Sequence, residues 1–209
     1  MSANESRTNS VPAAASPLST IADPAPLGLA GFAMTTLVLS CFNAGFLDKS
    51  AEGVVLPLAL FYGGIAQLLA GMWEFRRANT FGATAFSSFG AFWLAYYVLV
   101  KDVVPTLATS PDAGKALGLF LLSWAIFTAY MTVAALKVNG AVLAVFVALT
   151  ITFALLSIGA FDTSTAITKA GGWLGLVTAA LAWYASFAGV VSSTFGRAVL
   201  PTWPAKAAS

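Results

Sequence analysis

Along the 209-residue chain, apolar residues come in long blocks rather than in alternation with polar ones. Six stretches, approximately 25–47, 54–73, 81–100, 116–136, 141–160 and 170–191, contain no Asp, Glu, Lys or Arg. Each is close to the roughly 20 residues that a helix needs to cross a bilayer. A helix satisfies its own backbone groups in lipid, and the missing strand-like alternation argues against a β-barrel. The pattern predicts an all-α membrane protein, a six-transmembrane-helix bundle with short connections, the longest from Lys101 to Lys115. One domain then spans residues 23–200. It lies between a Ser/Ala/Pro-rich N-terminal tail at 1–22, expected to be disordered, and a similar C-terminal tail at 201–209.

The few charges fall at block ends. An even span count puts both termini on one side. With the termini in the cytoplasm, the inner segments hold Arg7, Arg76, Arg77, Lys137, Arg197 and Lys206, against Lys49, Lys101, Lys115 and Lys169 outside. That excess favours cytoplasmic termini, and the expected location is the plasma membrane.

Composition narrows the function classes. Hydrophobic residues make up 59% and charged residues 9%, too few charges to cover a water-facing surface. A net charge of +2 gives no footprint for nucleic acid. Cys41 is alone, so no intrachain disulfide forms. With no histidine, zinc triads, Ser-His-Asp triads and histidine haem ligation drop out. No nucleophile–base pair or metal-ligand set is visible, so no enzyme and no cofactor is expected. No span carries an Asp, Glu, Lys or His at mid-depth, where proton pumps and many coupled transporters place one. A pathway through this bundle must use neutral polar groups, aromatic faces and helix ends.

The candidate polar groups include Thr35, Thr36, Asn43, Gln67, Asn79, Thr84, Ser87 and Ser88. Asn43 and Gln67 are the most expensive to bury, and a pore role and an interhelical hydrogen bond weigh about equally for them. Glu74-Phe75-Arg76-Arg77 closes the second block. It reads as a charge cluster with Glu74 paired to an arginine, or as a vestibule in which Arg76 or Arg77 attracts anions. Asp23 is placed to cap the first helix, with Pro at its first position. Gly63-Gly64, Gly114-x-x-x-Gly118 and Gly171-x-x-x-Gly175 suit close helix packing within one bundle. Trp93, Trp124 and Trp183 are expected to pack between helices or subunits.

Several blocks resemble one family. Asp23-Pro24-Ala25-Pro26-Leu27-Gly28-Leu29-Ala30-Gly31-Phe32 looks like an N-P-A-P-L-G-L-x-G-F signature. Phe61-Tyr62-Gly63-Gly64-Ile65-Ala66-Gln67, then Ala70-Gly71-Met72-Trp73-Glu74, resembles a second block, and the run from Asn79 to Trp93 a third. Phe195-Gly196-Arg197 with Val199-Leu200-Pro201 resembles the C-terminal end. The family is that of the acetate uptake transporters, which include bacterial succinate–acetate permeases and yeast acetate/ammonia exporters. The resemblance implies a homohexamer with one pore per protomer in the lipid bilayer. It implies passage of acetate and other short monocarboxylates, with succinate in some members, often proton-linked. It also implies a constriction of Phe32, Phe89 and Leu149. Two positions depart from the pattern: Asp23 stands for the usual Asn, and Phe89 for a common Tyr.

The spacing is compatible with such a ring. Phe32, Phe89 and Leu149 each lie eight residues beyond Pro24, Phe81 and Ala141. That is about 12 Å along a helix, near the middle of a ~30 Å core. Gln67 falls at about 9 Å from the inner end of the second helix. Polar help along the path would come from Gln67, Asn43, Thr36 and Ser88, with Glu74, Arg76, Arg77 and Asn79 at the inner vestibule. The alternatives are a channel for a neutral solute such as ammonia or urea, and a non-transporting membrane scaffold.

Overall fold

The computed structural model describes residues 21–205. Six helices are long and apolar enough to cross a membrane: α1 Ala25–Ala44, α2 Lys49–Arg76, α3 Thr80–Leu107, α4 Ala113–Ala135, α5 Gly140–Phe161 and α6 Thr165–Phe195. Their ends carry ordinary stop signals. The side chains of Asn79, Asn139 and Ser164 accept the N–H three residues on and cap α3, α5 and α6. Gly45 and Gly196 take left-handed conformations, φ 85° and 65°, just past α1 and α6. Asp48, before α2, accepts hydrogen bonds from Ser50, which hold its carboxyl below the ordinary range.

Two helices outrun their apolar blocks. α2 opens with a tight 3-10 segment, Lys49–Val54, and widens into a π-turn at Phe61–Ala66. α3 passes through a second π-turn, Leu99–Val103, and continues to Leu107. The expected long connection from Lys101 is therefore mostly helix. Lys101 and Asp102 sit near the helix end, where charged heads reach water. Pro105 is tolerated in the first turn of the final segment, where no N–H is required of it.

α1 packs against α6, α5 against α4 and α6, and α2 against α3. Small residues set the closest approach. A β-carbon on Gly172 of α6 would lie 2.2 Å from the Ala44 backbone nitrogen of α1. Side chains on the outer face are apolar: Leu119, Ile126 and Val133 recur every seventh residue on α4, all more than 60% exposed. Such a face suits lipid or a neighbouring subunit.

The expected N-terminal tail lies almost wholly outside the described residues. At the other end, residues 201–205 are held in place. Gly140 and Ala141 donate backbone N–H to Trp203 and Thr202, and Tyr184 donates its hydroxyl to the Pro201 carbonyl at 2.6 Å. Trp203 stacks on Tyr184.

Candidate functional site

α1, α3 and α5 all start on the face that carries residues 21 and 205, the two ends of the described chain, here called the termini face. The opposite side is the loop face. These three helices turn matching stripes toward one another. Phe32 of α1 and Phe89 of α3 meet with ring centroids 5.7 Å apart. Phe89 also touches Phe146 of α5 at 6.0 Å. Phe32, Phe89 and Leu149 are each no more than 4% exposed. Phe127 and Trp124 of α4 back the Phe89 ring at 5.4 and 6.1 Å.

A cavity opens on each side of this apolar layer. The loop-face cavity, about 470 Å³, is lined by Phe32 and Leu149 and then by residues one to three turns further along the same helices. On α1 these are Thr36, Ser40 and Asn43; on α3, Phe92, Trp93 and Tyr96; on α5, Thr152, Phe153 and Leu156. The termini-face cavity, about 700 Å³, uses the turns before the layer: Leu29 on α1, Phe86 and Gly82 on α3, and Phe146 and Val142 on α5. The layer therefore sits where each helix switches from one cavity to the other.

The charged groups are unevenly shared. Lys49 and Glu52 stand at the loop-face cavity. Lys49 reaches Glu52 at 3.5 Å and the Asn43 side-chain oxygen at 3.3 Å, and Tyr96 donates to Glu52 at 2.8 Å. The termini-face cavity is lined by Asp23, Glu74, Arg77 and Arg197. Here the expected pairing changes. Arg77 makes its ion pair with Asp23, not with Glu74. Glu74 is fully buried, and one carboxyl oxygen accepts from the Asn79 amide at 2.9 Å while the other has no partner. The short loop from Arg77 to Asn79 aims the guanidinium back at the start of α1. Asp23 precedes the cap position, held by Pro24, and accepts the Ala25 N–H at 3.1 Å.

The other residues singled out from the sequence are scattered. Asn43 lines the loop-face cavity, and Asn79 both caps α3 and lines the termini-face cavity. Arg76, Ser88 and Gln67 line neither cavity. Gln67 is 1% exposed, and its side-chain oxygen has no hydrogen-bond partner. Beyond Asp23, the motif packs: Pro26 and Gly28 fit against neighbouring helices. The Pro26 carbonyl accepts from Ser186 of α6 at 2.7 Å, and a β-carbon on Gly28 would meet the Phe86 ring at 2.6 Å. Leu27 points outward, 45% exposed.

Residues 6–205 match the GPR1/FUN34/yaaH family. The chain belongs to this family. The Escherichia coli K12 protein named succinate-acetate/proton symporter SatP is 42% identical over 181 residues, covering 87% of this chain and 95% of the relative. A Saccharomyces cerevisiae protein named ammonia transport outward protein 2 is 44% identical over 183 residues. That alignment covers 86% of this chain, which spans 65% of the yeast protein's length. The solved structure of a bacterial acetate channel, SatP, superposes with a TM-score of 0.80 at 42% identity, covering 88% of this chain and 99% of that one.

Sequence reasoning missed Ser40, Tyr96, Phe146, Lys49 and Glu52. The first three carry a usable signal, since they lie at helical spacing from Phe32, Phe89 and Leu149 (+8, +7 and −3). Lys49 and Glu52 had none, because the 3-10 segment that turns them over the cavity follows no apolar period.

Proposed function

We propose that each protomer is a path for acetate and other short monocarboxylates, with the Phe32–Phe89–Leu149 layer as its narrowest point. The observation that carries this is the pair of cavities separated by one buried apolar layer on three matching helices. A short methyl-like tail suits such a layer. A hydrated ion does not, because stripping a charge of water costs several kcal/mol even in a relaxed protein interior. Acetate should therefore pass more readily than a dicarboxylate such as succinate. Proton linkage needs no acid in the layer, since the substrate's own carboxyl carries the proton across. Phe89 supplies ring surface and no hydroxyl, so it presents no polar group to the passing solute. Gln67 is buried on α2 outside both cavities, so it does not meet the passing solute directly. The termini-face vestibule attracts anions mainly through Arg197, because Asp23 neutralises Arg77.

The names of the Escherichia coli relative and of the solved bacterial acetate channel support the substrate class, and the name of the yeast relative points to ammonia. The apolar outer face of α4 and the family resemblance support a homohexamer with one pore per protomer. The balance of Lys and Arg supports cytoplasmic termini, and we place the protein in the plasma membrane. The test is radiolabelled acetate uptake into proteoliposomes, with and without an imposed pH gradient, beside parallel assays of ammonia and urea. Saturable acetate uptake that rises with an inward proton gradient is expected. No acetate flux overturns the proposal, and flux of ammonia or urea alone moves the function to the neutral-solute class.

A further inference from the structure

The segment that opens α2, Lys49–Val54, is held to the bundle by polar contacts instead of packing. None of its residues is buried. Val54 is 59% exposed, whereas Val55, the next residue, is fully buried. A β-carbon on Gly53 would meet nothing within 4 Å. The apolar packing of α2 therefore stops at Val55.

The polar ties stand at the outer end of the loop-face cavity. Lys49, Glu52 and Gly53 line it together with Asn43 of α1 and Tyr96 of α3. Asn43 lies eleven residues beyond Phe32, about 16 Å along α1. The Lys49 ammonium donates to the Asn43 side-chain oxygen at 3.3 Å and pairs with one Glu52 oxygen at 3.5 Å. The other Glu52 oxygen accepts the Tyr96 hydroxyl at 2.8 Å. A chain of side chains thus runs from α1 to α3 through the segment.

The ties are unequal. The Lys49 side chain is 61% exposed, so water competes for its contacts. The Glu52 side chain is 19% exposed, and its bond to Tyr96 is short and charge-assisted. Tyr96 is itself fixed, with its ring against Phe92 and Trp93 at 6.3 and 5.7 Å. An element with little buried apolar surface opens locally at low cost, so its strongest tie decides how often it does.

We propose that Lys49–Val54 is a gate over the loop-face cavity, latched shut by the Tyr96–Glu52 hydrogen bond, with Tyr96 as its positioning residue. The gate rests on reading that cavity as one end of a solute path.

The test follows the gate itself in sealed proteoliposomes. Thr36 lines the cavity one turn beyond Phe32, so Thr36→Cys in a Cys41→Ser background reports on entry. Two impermeant thiol reagents are applied from the loop face, a small methanethiosulfonate and a maleimide with a bulky polar tag. The bulky reagent should react at least about tenfold more slowly than its intrinsic reactivity toward a free thiol predicts, relative to the small one. Adding Tyr96→Phe keeps the ring and removes the hydroxyl. It should speed the bulky reagent about five- to tenfold and leave the small one within about twofold. Glu52→Ala should match it, and Glu52→Gln, which keeps an acceptor, should stay within about threefold of the starting protein. Hydrogen exchange gives a second reading. The amides of Ala51 and Val55, which donate to the Asp48 and Glu52 carbonyls, should exchange about five- to tenfold faster in Tyr96→Phe. A detergent melting curve checks that each variant is folded. Unchanged labelling and exchange in Tyr96→Phe, or no discrimination between the two reagents before it is added, overturns the latch. A wild type that carries no acetate overturns the path, while labelling and exchange still decide the latch.

Discussion

The two cavities differ in what they offer an arriving anion. The termini-face cavity is the larger and the more charged, yet its charges are largely spoken for. Arg77 is tied to Asp23, and Glu74 is buried on Asn79. The loop-face cavity is smaller and mostly apolar, with one charged pair, Lys49 and Glu52, at its wall. Its interior holds neutral groups, among them two with unmet hydrogen bonds. Charge sets how often an anion visits a mouth, whereas desolvated neutral donors set how it is held. On the proposed path, the termini face would attract an anion with charge that limits itself, and the loop face would offer it mainly neutral groups.

Removing the barrier between them should have the largest effect. Phe32→Ala joins the cavities, and liposome swelling with a small sugar should rise at least about tenfold over wild type. A swelling rate at background would show that the layer is not the barrier. Next comes the buried carboxyl. Glu74→Ala removes the acceptor of the Asn79 amide, so the purified protein should lose about 1–3 kcal/mol of stability, read as a lower melting temperature. An unchanged melting temperature would leave that hydrogen bond without structural weight.

The charge contrast is tested by smaller changes. Asp23→Asn frees Arg77, and KM for acetate entering from the termini face should fall about two- to fivefold at low salt, the range of a half-exposed ion pair. Lys49→Gln should raise KM from the loop face about twofold, with the difference gone at high salt. An Asp23→Asn variant that raises KM would mean that Arg77 binds substrate through its pairing with Asp23.

The sequence and the structure agree where burial in lipid dictates the answer. Six charge-free blocks became six helices because lipid tolerates no other backbone arrangement for them. The residues of the buried apolar layer, Phe32, Phe89 and Leu149, were singled out through the family resemblance, and their equal spacing from helix starts is compatible with one depth. The ends were less legible. Lys101 and Asp102 suggested a loop, yet a charged head at a helix end costs little when its stem reaches water. The π-turn at Phe61–Ala66 follows no hydrophobic period, and so neither does the seat of Gln67 behind the path. Glu74 looked like the partner of one of the two arginines that close the same helix. The turn after α2 sends Arg77 to Asp23, 54 residues away in sequence. The unmet hydroxyl of Thr36 is invisible beside that of its neighbour Thr35, which satisfies itself.

The central claim is that one layer divides one path into two compartments open to opposite sides. Asn43 lines the loop-face cavity and Ser192 of α6 the termini-face cavity, so single cysteines, placed by Asn43→Cys or Ser192→Cys in a Cys41→Ser background, read this directly in sealed proteoliposomes of known orientation. A membrane-impermeant thiol reagent should label the Asn43→Cys protein only from the loop face and the Ser192→Cys protein only from the termini face. Labelling of both positions from the same side would contradict the account.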